Sequence, residues 1–134
     1  MVPGRGTGCL LRLTSPISFW GGVDPVAGAI VDPRHPQYGA SIAGTVLAIP
    51  STVGSSSSSA IMLELIREGR APAAMLLGEV DAILALGVVV AQELDYTPIP
   101  IVEVAMSALD RFPDGALVEV GGAGEIRMAP SGQG

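Results

Sequence analysis

The apolar residues of this chain follow two spacings, one typical of helices and one typical of short strands. In residues 60–68 they recur at positions 61, 62, 65 and 66, which predicts an amphipathic helix. Ser58 or Ser59 would cap its start, and Gly69 suits the position just past its end. A second helix is predicted over residues 81–93, which are apolar nearly all round, so we expect this helix to be buried.

Two residues indicate how the second helix sits in the fold. Asp81 suits its N-cap or first turn, where a carboxylate can accept hydrogen bonds from free backbone N–H groups. Gly87 lies inside the apolar stretch and predicts close packing of the helix against a sheet, because glycine has no side chain to hold another backbone away.

Short apolar runs bounded by glycine and proline predict the strands. They cover residues 29–31, 45–49, 73–77, 101–104, 116–120 and 125–128, after a glycine- and proline-rich start with an apolar run at 9–13. Pro98 and Pro100 flank residues 101–104 and predict an edge strand, because proline cannot donate into a ladder. A short helical piece is expected near residues 106–109. This order, a βαβαβ unit followed by a hairpin, predicts one α/β domain with a partly parallel sheet and flanking helices.

Composition narrows the class of protein. The 134 residues suffice for one domain, and the net charge of −6 with scattered arginines argues against nucleic acid as a partner. Cys9 is the only cysteine and His35 the only histidine, so a cysteine-ligated cluster within the chain is excluded and no metal site is expected in it. The longest apolar stretch, residues 82–91, is shorter than the roughly 20 residues of a membrane span, which predicts a cytoplasmic protein.

A run of serines at residues 55–59 follows Gly54, where a strand is expected to turn into a helix. Free N–H groups and the positive end of the helix dipole make such a turn an anion site, and serine hydroxyls add donors. The lysine of a Walker loop and the Gly-x-Ser-x-Gly pattern of a nucleophile elbow are absent from the run. The alternatives are helix capping or a flexible linker, although a linker makes little sense between closely flanking apolar segments.

Five sequence segments, taken together and in this order, resemble the aconitase X swivel domain. They are PISFWGGVDP at 16–25, IVDPRHP at 30–36, IPSTVGSSSSS at 49–59, LELI at 63–66 and APAA at 71–74. The resemblance covers about residues 2–104 and implies a swivelling β/β/α domain over residues 1–129. The last residues, 130–134, are expected to be a disordered tail from their own composition. It also implies a small subunit that closes over a large subunit, in a heterodimer whose iron or iron–sulfur centre belongs to the large subunit.

The resemblance further implies a hydro-lyase and its site residues. The catalytic serine of the family corresponds to Ser55, and Gly54, Ser56 and Ser57 would bind a substrate carboxylate through N–H and hydroxyl groups. One branch of the family dehydrates cis-3-hydroxy-L-proline and another dehydrates mevalonate 5-phosphate. The poly-serine turn is closer to the first branch, so cis-3-hydroxy-L-proline is the expected substrate and mevalonate 5-phosphate the alternative.

Thr52 and Val53 depart from the family pattern, which has glycine and a lysine or arginine there. A serine alkoxide needs positive surroundings to serve as a base, so the loss of this basic side chain supports an alternative of another class, a non-catalytic regulatory or binding module. An enzyme acting alone is disfavoured by the missing metal ligands. The family usually has a strand ahead of the segment matching residues 2–8, and the chain begins within that segment.

Three further residues have a functional and a structural interpretation. His35 lies in a proline-bracketed loop and is either a general acid or a structural residue. Asp24 is a secondary site candidate or a hydrogen-bond acceptor in its Asp-Pro turn. Trp20 is either a core anchor or part of a surface that faces substrate or subunit.

Overall fold

A computed structural model of the chain describes residues 4–51, 58–79, 82–96, 99–113, 115–122 and 124–129, without the side chains of Trp20 and Ile83. The strands are β1 Gly6–Arg12, β2 Val23–Asp24, β3 Ala29–Ile30, β4 Val46–Ile49, β5 Ala74–Leu77, β6 Ile101–Glu103, β7 Leu117–Val120 and β8 Ile126–Met128. The helices are α1 Phe19–Gly22, α2 Ser58–Arg67 and α3 Ala82–Glu93, with a 3₁₀ helix at Met106–Leu109. The expectations for Asp81, for the Trp20 side chain and for the tail at 130–134 lie outside the described part.

The main sheet has six strands in the order β6-β5-β4-β1-β7-β8. β6, β5, β4 and β1 run parallel to one another. β7 pairs antiparallel with β1 on one side and with β8 on the other. The predicted partly parallel sheet, the edge position of residues 101–103 and the C-terminal hairpin are confirmed. The sequence pattern did not predict the separate small hairpin of β2 and β3.

Alternate residues of the parallel strands face two different layers. Leu47 and Met75 contribute to a core that includes residues of α2 and α3. Val46 and Leu76 contribute to a second core, on which the 3₁₀ helix places Leu109. Because both faces are covered, every residue of β4 and β5 is buried, which explains why these strands read as continuous apolar runs.

Helix α2 ends as predicted but begins earlier. Gly69 has φ +72°, its N–H donates to the Ile66 carbonyl at 3.1 Å, and the N–H of Arg70 donates to the Leu65 carbonyl at 2.9 Å. This pair of bonds is the Schellman ending that glycine favours. The start is a correction: α2 begins at Ser58, so Ser58 and Ser59 are helical residues and not the cap.

Helix α3 contradicts the expectation of a helix buried all round. Leu84 and Val88 are fully buried, but Leu86 is 53% and Val89 44% exposed. The sheet and α2 cover one face of α3, and no element in the described part of the chain covers the other. The prediction of burial was therefore wrong for one face of α3. An apolar composition does not show which face of a helix packs against the rest of the chain.

Gly87 makes the predicted close approach to a different neighbour. A Cβ atom built on Gly87 would lie 2.5 Å from the carbonyl oxygen of Ser59 and 3.0 Å from the Cβ of Met62. Gly87 therefore packs α3 against α2 and not against the sheet. Among the described residues, no helix is both long enough and apolar enough to cross a membrane.

Candidate functional site

The serine tract, residues 55–59, follows β4 and leads into α2, whose first two residues are Ser58 and Ser59. β4 ends at Ile49 and α2 begins at Ser58, so the tract joins the C-terminal end of a central parallel strand to the N-terminus of a helix. Gly54, Ser55, Ser56 and Ser57, together with Thr52 and Val53, lie outside the described residues. In open α/β sheets, ligands bind beyond the carboxyl ends of the strands, which is the edge from which this tract departs.

The start of α2 has two properties of an anion site. Its first turn contains no acidic side chain, so the positive end of the helix dipole is not neutralised there. Ser58 is 1% exposed, and its hydroxyl has no hydrogen-bond partner within the described part of the chain. A buried hydroxyl of this kind normally has a partner, and this one belongs to the part of the serine tract that lies in the helix.

Arg12 occupies the end of β1, beside β4. Its guanidinium donates to Oδ1 of Asp110 at 2.8 Å and to the carbonyl of Met106 at 2.7 Å. A cavity of about 400 Å³ at this edge is lined by Arg12, Leu13, Thr14, Pro50 and Met106. Pro50 directly follows β4, so the cavity borders the chain segment that leads into the serine tract.

A second cavity of about 450 Å³ is formed by two of the segments that resemble the swivel domain. It is lined by Ser18, Gly21, Gly22, Asp32, Pro33 and Arg34. The Arg34 side chain is 91% exposed and lies 3.6 Å from Oδ1 of Asp32, so its position is weakly held.

His35 is buried, and both of its ring nitrogens face backbone groups. Nε2 lies 3.1 Å from the carbonyl oxygen of Ser15, and Nδ1 accepts a hydrogen bond of 3.0 Å from the N–H of Gln37. These partners require a proton on Nε2 and none on Nδ1, the neutral ring. With both nitrogens engaged, the geometry favours the structural interpretation of His35.

Asp24 closes the turn between β2 and β3. Its Oδ1 accepts hydrogen bonds from the N–H groups of Val26 at 2.9 Å and Ala27 at 3.3 Å. The expected hydrogen bonding in the Asp-Pro turn is confirmed. Within the described part of the chain, no hydrogen bond or ion pair joins Asp24 to His35, so these two secondary candidates are not brought into one site.

Gln37 is a structural contributor that sequence reasoning missed. Its Nε2 donates to the Arg12 carbonyl at 2.9 Å and its Oε1 accepts from the Thr14 N–H at 3.3 Å. Gln37 and His35 together fix the loop of residues 32–39 to the chain just after β1. A loop glutamine gives no signal of this role, because the role depends on a backbone segment more than twenty residues away.

Two side chains on the outer face of α2, Glu64 and Arg67, shift each other's pKa. The Arg67 guanidinium hydrogen-bonds the side chain of Glu64 and lowers the pKa of that carboxyl, while Glu64 raises the pKa of Arg67. Both side chains lie on the solvent-facing side of the helix. In the described ranges, no three His, Cys, Asp or Glu side chains come together as a metal site, so the residues present do not fit an iron centre.

Comparison with known proteins gives consistent similarities. A sequence model of the aconitase X swivel domain matches residues 1–128. The chain is 45% identical, over 87% of its length, to a cis-3-hydroxy-L-proline dehydratase of Pseudomonas aeruginosa, and it spans about a fifth (21%) of that protein. It is 36% identical to the phosphomevalonate dehydratase small subunit of Methanocella arvoryzae, over 94% of this chain and 92% of that one.

The fold is also similar to that of a solved structure. The crystal structure of Thermococcus kodakaraensis aconitase X in its holo form superposes with a TM-score of 0.83 at 31% identity. The similarity covers 96% of this chain and 93% of that one. At this level of agreement the arrangement of sheet and helices in the described residues is shared with that structure.

Proposed function

The chain belongs to the aconitase X swivel domain family, and we propose that it is the small subunit of a hydro-lyase that dehydrates a hydroxy acid. The observation that carries this proposal is its similarity to dehydratases in two forms. In one form the matching region is about a fifth of a longer dehydratase, and in the other it is nearly the whole of a small subunit. Both forms imply a partner of the large-subunit type, here in a heterodimer.

We assign the role of proton acceptor to Ser55. Dehydration of a 3-hydroxy acid breaks the C–H bond alpha to the carboxylate and the C–O bond of the hydroxyl, and releases water as the double bond forms. A serine can take the alpha proton only as an alkoxide, which positive surroundings must stabilise. The start of α2, with no acidic side chain in its first turn, supports such surroundings.

Gly54, Ser56 and Ser57 are proposed to bind the substrate carboxylate. Consecutive N–H groups and hydroxyls ahead of a helix suit an anion, and glycine allows a ligand to approach the backbone closely. His35 and Asp24 then hold loops in place and do not take part in proton transfer, as their backbone hydrogen bonds support.

We place the iron or iron–sulfur centre in the large subunit, since this chain has one cysteine and one histidine. There the metal would supply a Lewis acid for the leaving hydroxyl. The contribution of this chain is the proton acceptor and the carboxylate contacts.

The proposed substrate is cis-3-hydroxy-L-proline, with mevalonate 5-phosphate as the second candidate. The first is favoured by the 45% identity to a dehydratase named for it, and the second is supported by the small subunits named phosphomevalonate dehydratase. Only mevalonate 5-phosphate carries a phosphate group, and only cis-3-hydroxy-L-proline carries a ring amine, so the two make different demands on the cations of the site.

Reconstitution tests the proposal. The chain is combined anaerobically with an aconitase-X-type large subunit and iron, and both hydroxy acids are offered to the complex and to each subunit alone. We expect turnover of cis-3-hydroxy-L-proline only when both subunits are present. A stable complex that dehydrates neither compound would instead support the non-catalytic module.

A further inference from the structure

Arg12 differs from the other arginines in its location and in how it is held. It lies at the carboxyl edge of the parallel strands and lines the cavity of about 400 Å³ next to Pro50. This volume is within the range of about 300–1,000 Å³ typical of small-molecule sites. The other six arginines lie elsewhere: Arg5 lines a cavity with residues that follow α2 and α3, Arg34 extends into solvent, Arg67 and Arg70 are exposed on and after α2, Arg111 covers Phe112, and Arg127 pairs with Glu119.

The guanidinium of Arg12 is held in one orientation. Asp110 and the Met106 carbonyl each accept one hydrogen bond, from different terminal nitrogens. A guanidinium has five N–H donors, so three remain without a partner in the described part of the chain. The Arg12 side chain is 31% exposed, against 91% for Arg34, so its charge is less screened by water.

We propose that Arg12 binds the carboxylate or phosphate of the hydroxy-acid substrate. This inference rests on the proposed function and adds to it the cation that a dianionic transition state needs, since Val53 offers none. An oriented guanidinium with free donors is suited to an oxyanion, because it can offer two parallel N–H groups. Asp110 pairs with the guanidinium on its solvent side, where Asp110 is 68% exposed, and the Met106 carbonyl holds the other terminal nitrogen without it.

A purely structural role for Arg12 predicts a different pattern. If Arg12 only tethers the 3₁₀ helix to β1, removing either partner of the ion pair would have the same effect. If Arg12 binds substrate, the cation matters and Asp110 matters much less. Arg12→Met, which keeps the length of the side chain, and Asp110→Asn therefore form a matched pair, with Arg12→Lys as the charge-conserving variant. Arg127→Gln, on β8 and paired with Glu119, is a second arginine control.

The experiment measures two quantities on the complex with the large subunit. The first is KM and kcat for each hydroxy acid, and the second is the rise in the Tm of the complex on adding that compound. For Arg12→Met we expect KM to rise about 10- to 100-fold, the loss of one charge-assisted contact, and the ligand-induced rise in Tm to disappear. Arg12→Lys should recover part of the affinity, and Asp110→Asn and Arg127→Gln should stay within about threefold of the unsubstituted complex.

The outcomes separate this inference from the proposed function. An equal rise in KM in Arg12→Met and Asp110→Asn, or an unchanged KM in Arg12→Met, overturns the role of Arg12 in binding substrate. Neither result contradicts the proposed dehydratase activity. A complex that is stabilised by a hydroxy acid but does not turn it over overturns the proposed dehydratase activity. In that case the ligand-induced rise in Tm, compared between the Arg12 variants, still tests whether Arg12 binds the compound. A complex that neither compound stabilises overturns both.

Discussion

Replacing Gly87 by alanine tests the packing of the two helices. Alanine has a helix propensity about 1 kcal/mol better than glycine, so propensity alone predicts a more stable protein. The added Cβ would lie 2.5 Å from the carbonyl oxygen of Ser59, and a backbone atom cannot rotate away as a side chain would. Relief requires α2 and α3 to separate, and overpacking of this kind costs about 3 kcal/mol at the upper end of its usual range.

The two effects oppose each other, and the steric one is larger. We expect Gly87→Ala to lower the free energy of unfolding by about 2 kcal/mol and the Tm by roughly 6 °C. Urea and thermal unfolding of the chain, followed by circular dichroism, measure both quantities. Val89→Ala is the control, because Val89 is 44% exposed on the same helix and its replacement should change stability by less than about 0.5 kcal/mol. A Gly87→Ala variant that is stabilised by about 1 kcal/mol would show that α2 and α3 are not in close contact.

Three further substitutions test the fold and its electrostatics. Val88→Ala should cost about 2 kcal/mol in urea unfolding, since Val88 is fully buried beside the exposed Val89; equal effects at the two positions would contradict the one-sided burial of α3. His35→Ala should cost about 2 kcal/mol, because two partly buried backbone groups lose the buried side chain that pairs with them, and unchanged stability would show that His35 does not hold the loop. Glu64→Gln should lower the urea midpoint slightly at neutral pH. Arg67 lowers the folded-state pKa of Glu64, so the ion pair stabilises the fold above the usual carboxyl pKa and ceases to do so as the pH falls through the lowered pKa. A difference in urea midpoint between Glu64→Gln and the unsubstituted chain that persists in acid would refute this.

The elements whose pattern is local were predictable from the sequence. The buried strands around residues 45–49 and 73–77 read as apolar runs because both of their faces are covered, and Gly69 marked the end of α2 through its positive φ. Residues 29–31 were predicted as a strand, but β2 and its pairing with β3 were missed, because a two-residue strand leaves almost no periodic signal.

What depended on distant contacts was not predictable. The exposed face of α3 and the packing of Gly87 on α2 require knowledge of which helix faces which. The bond from Arg12 to Asp110 joins residues 98 positions apart, and no spacing rule reaches that far. For the serine tract, sequence supplied the residue types and the structure adds the strand and helix that flank them.

The most direct test of the central claim follows the alpha proton of the substrate. The reconstituted complex is incubated in D₂O with the hydroxy acid, and both product formation and deuterium uptake into recovered substrate are measured by NMR and mass spectrometry. We predict that Ser55→Ala still assembles and binds substrate but loses dehydration and exchange by about 10²- to 10⁴-fold, the usual contribution of a general base. Ser57→Ala, the matched serine variant, should raise KM with kcat largely kept. A Ser55→Ala complex that exchanges the alpha proton at the rate of the unsubstituted complex would contradict the assignment of Ser55 as the proton acceptor.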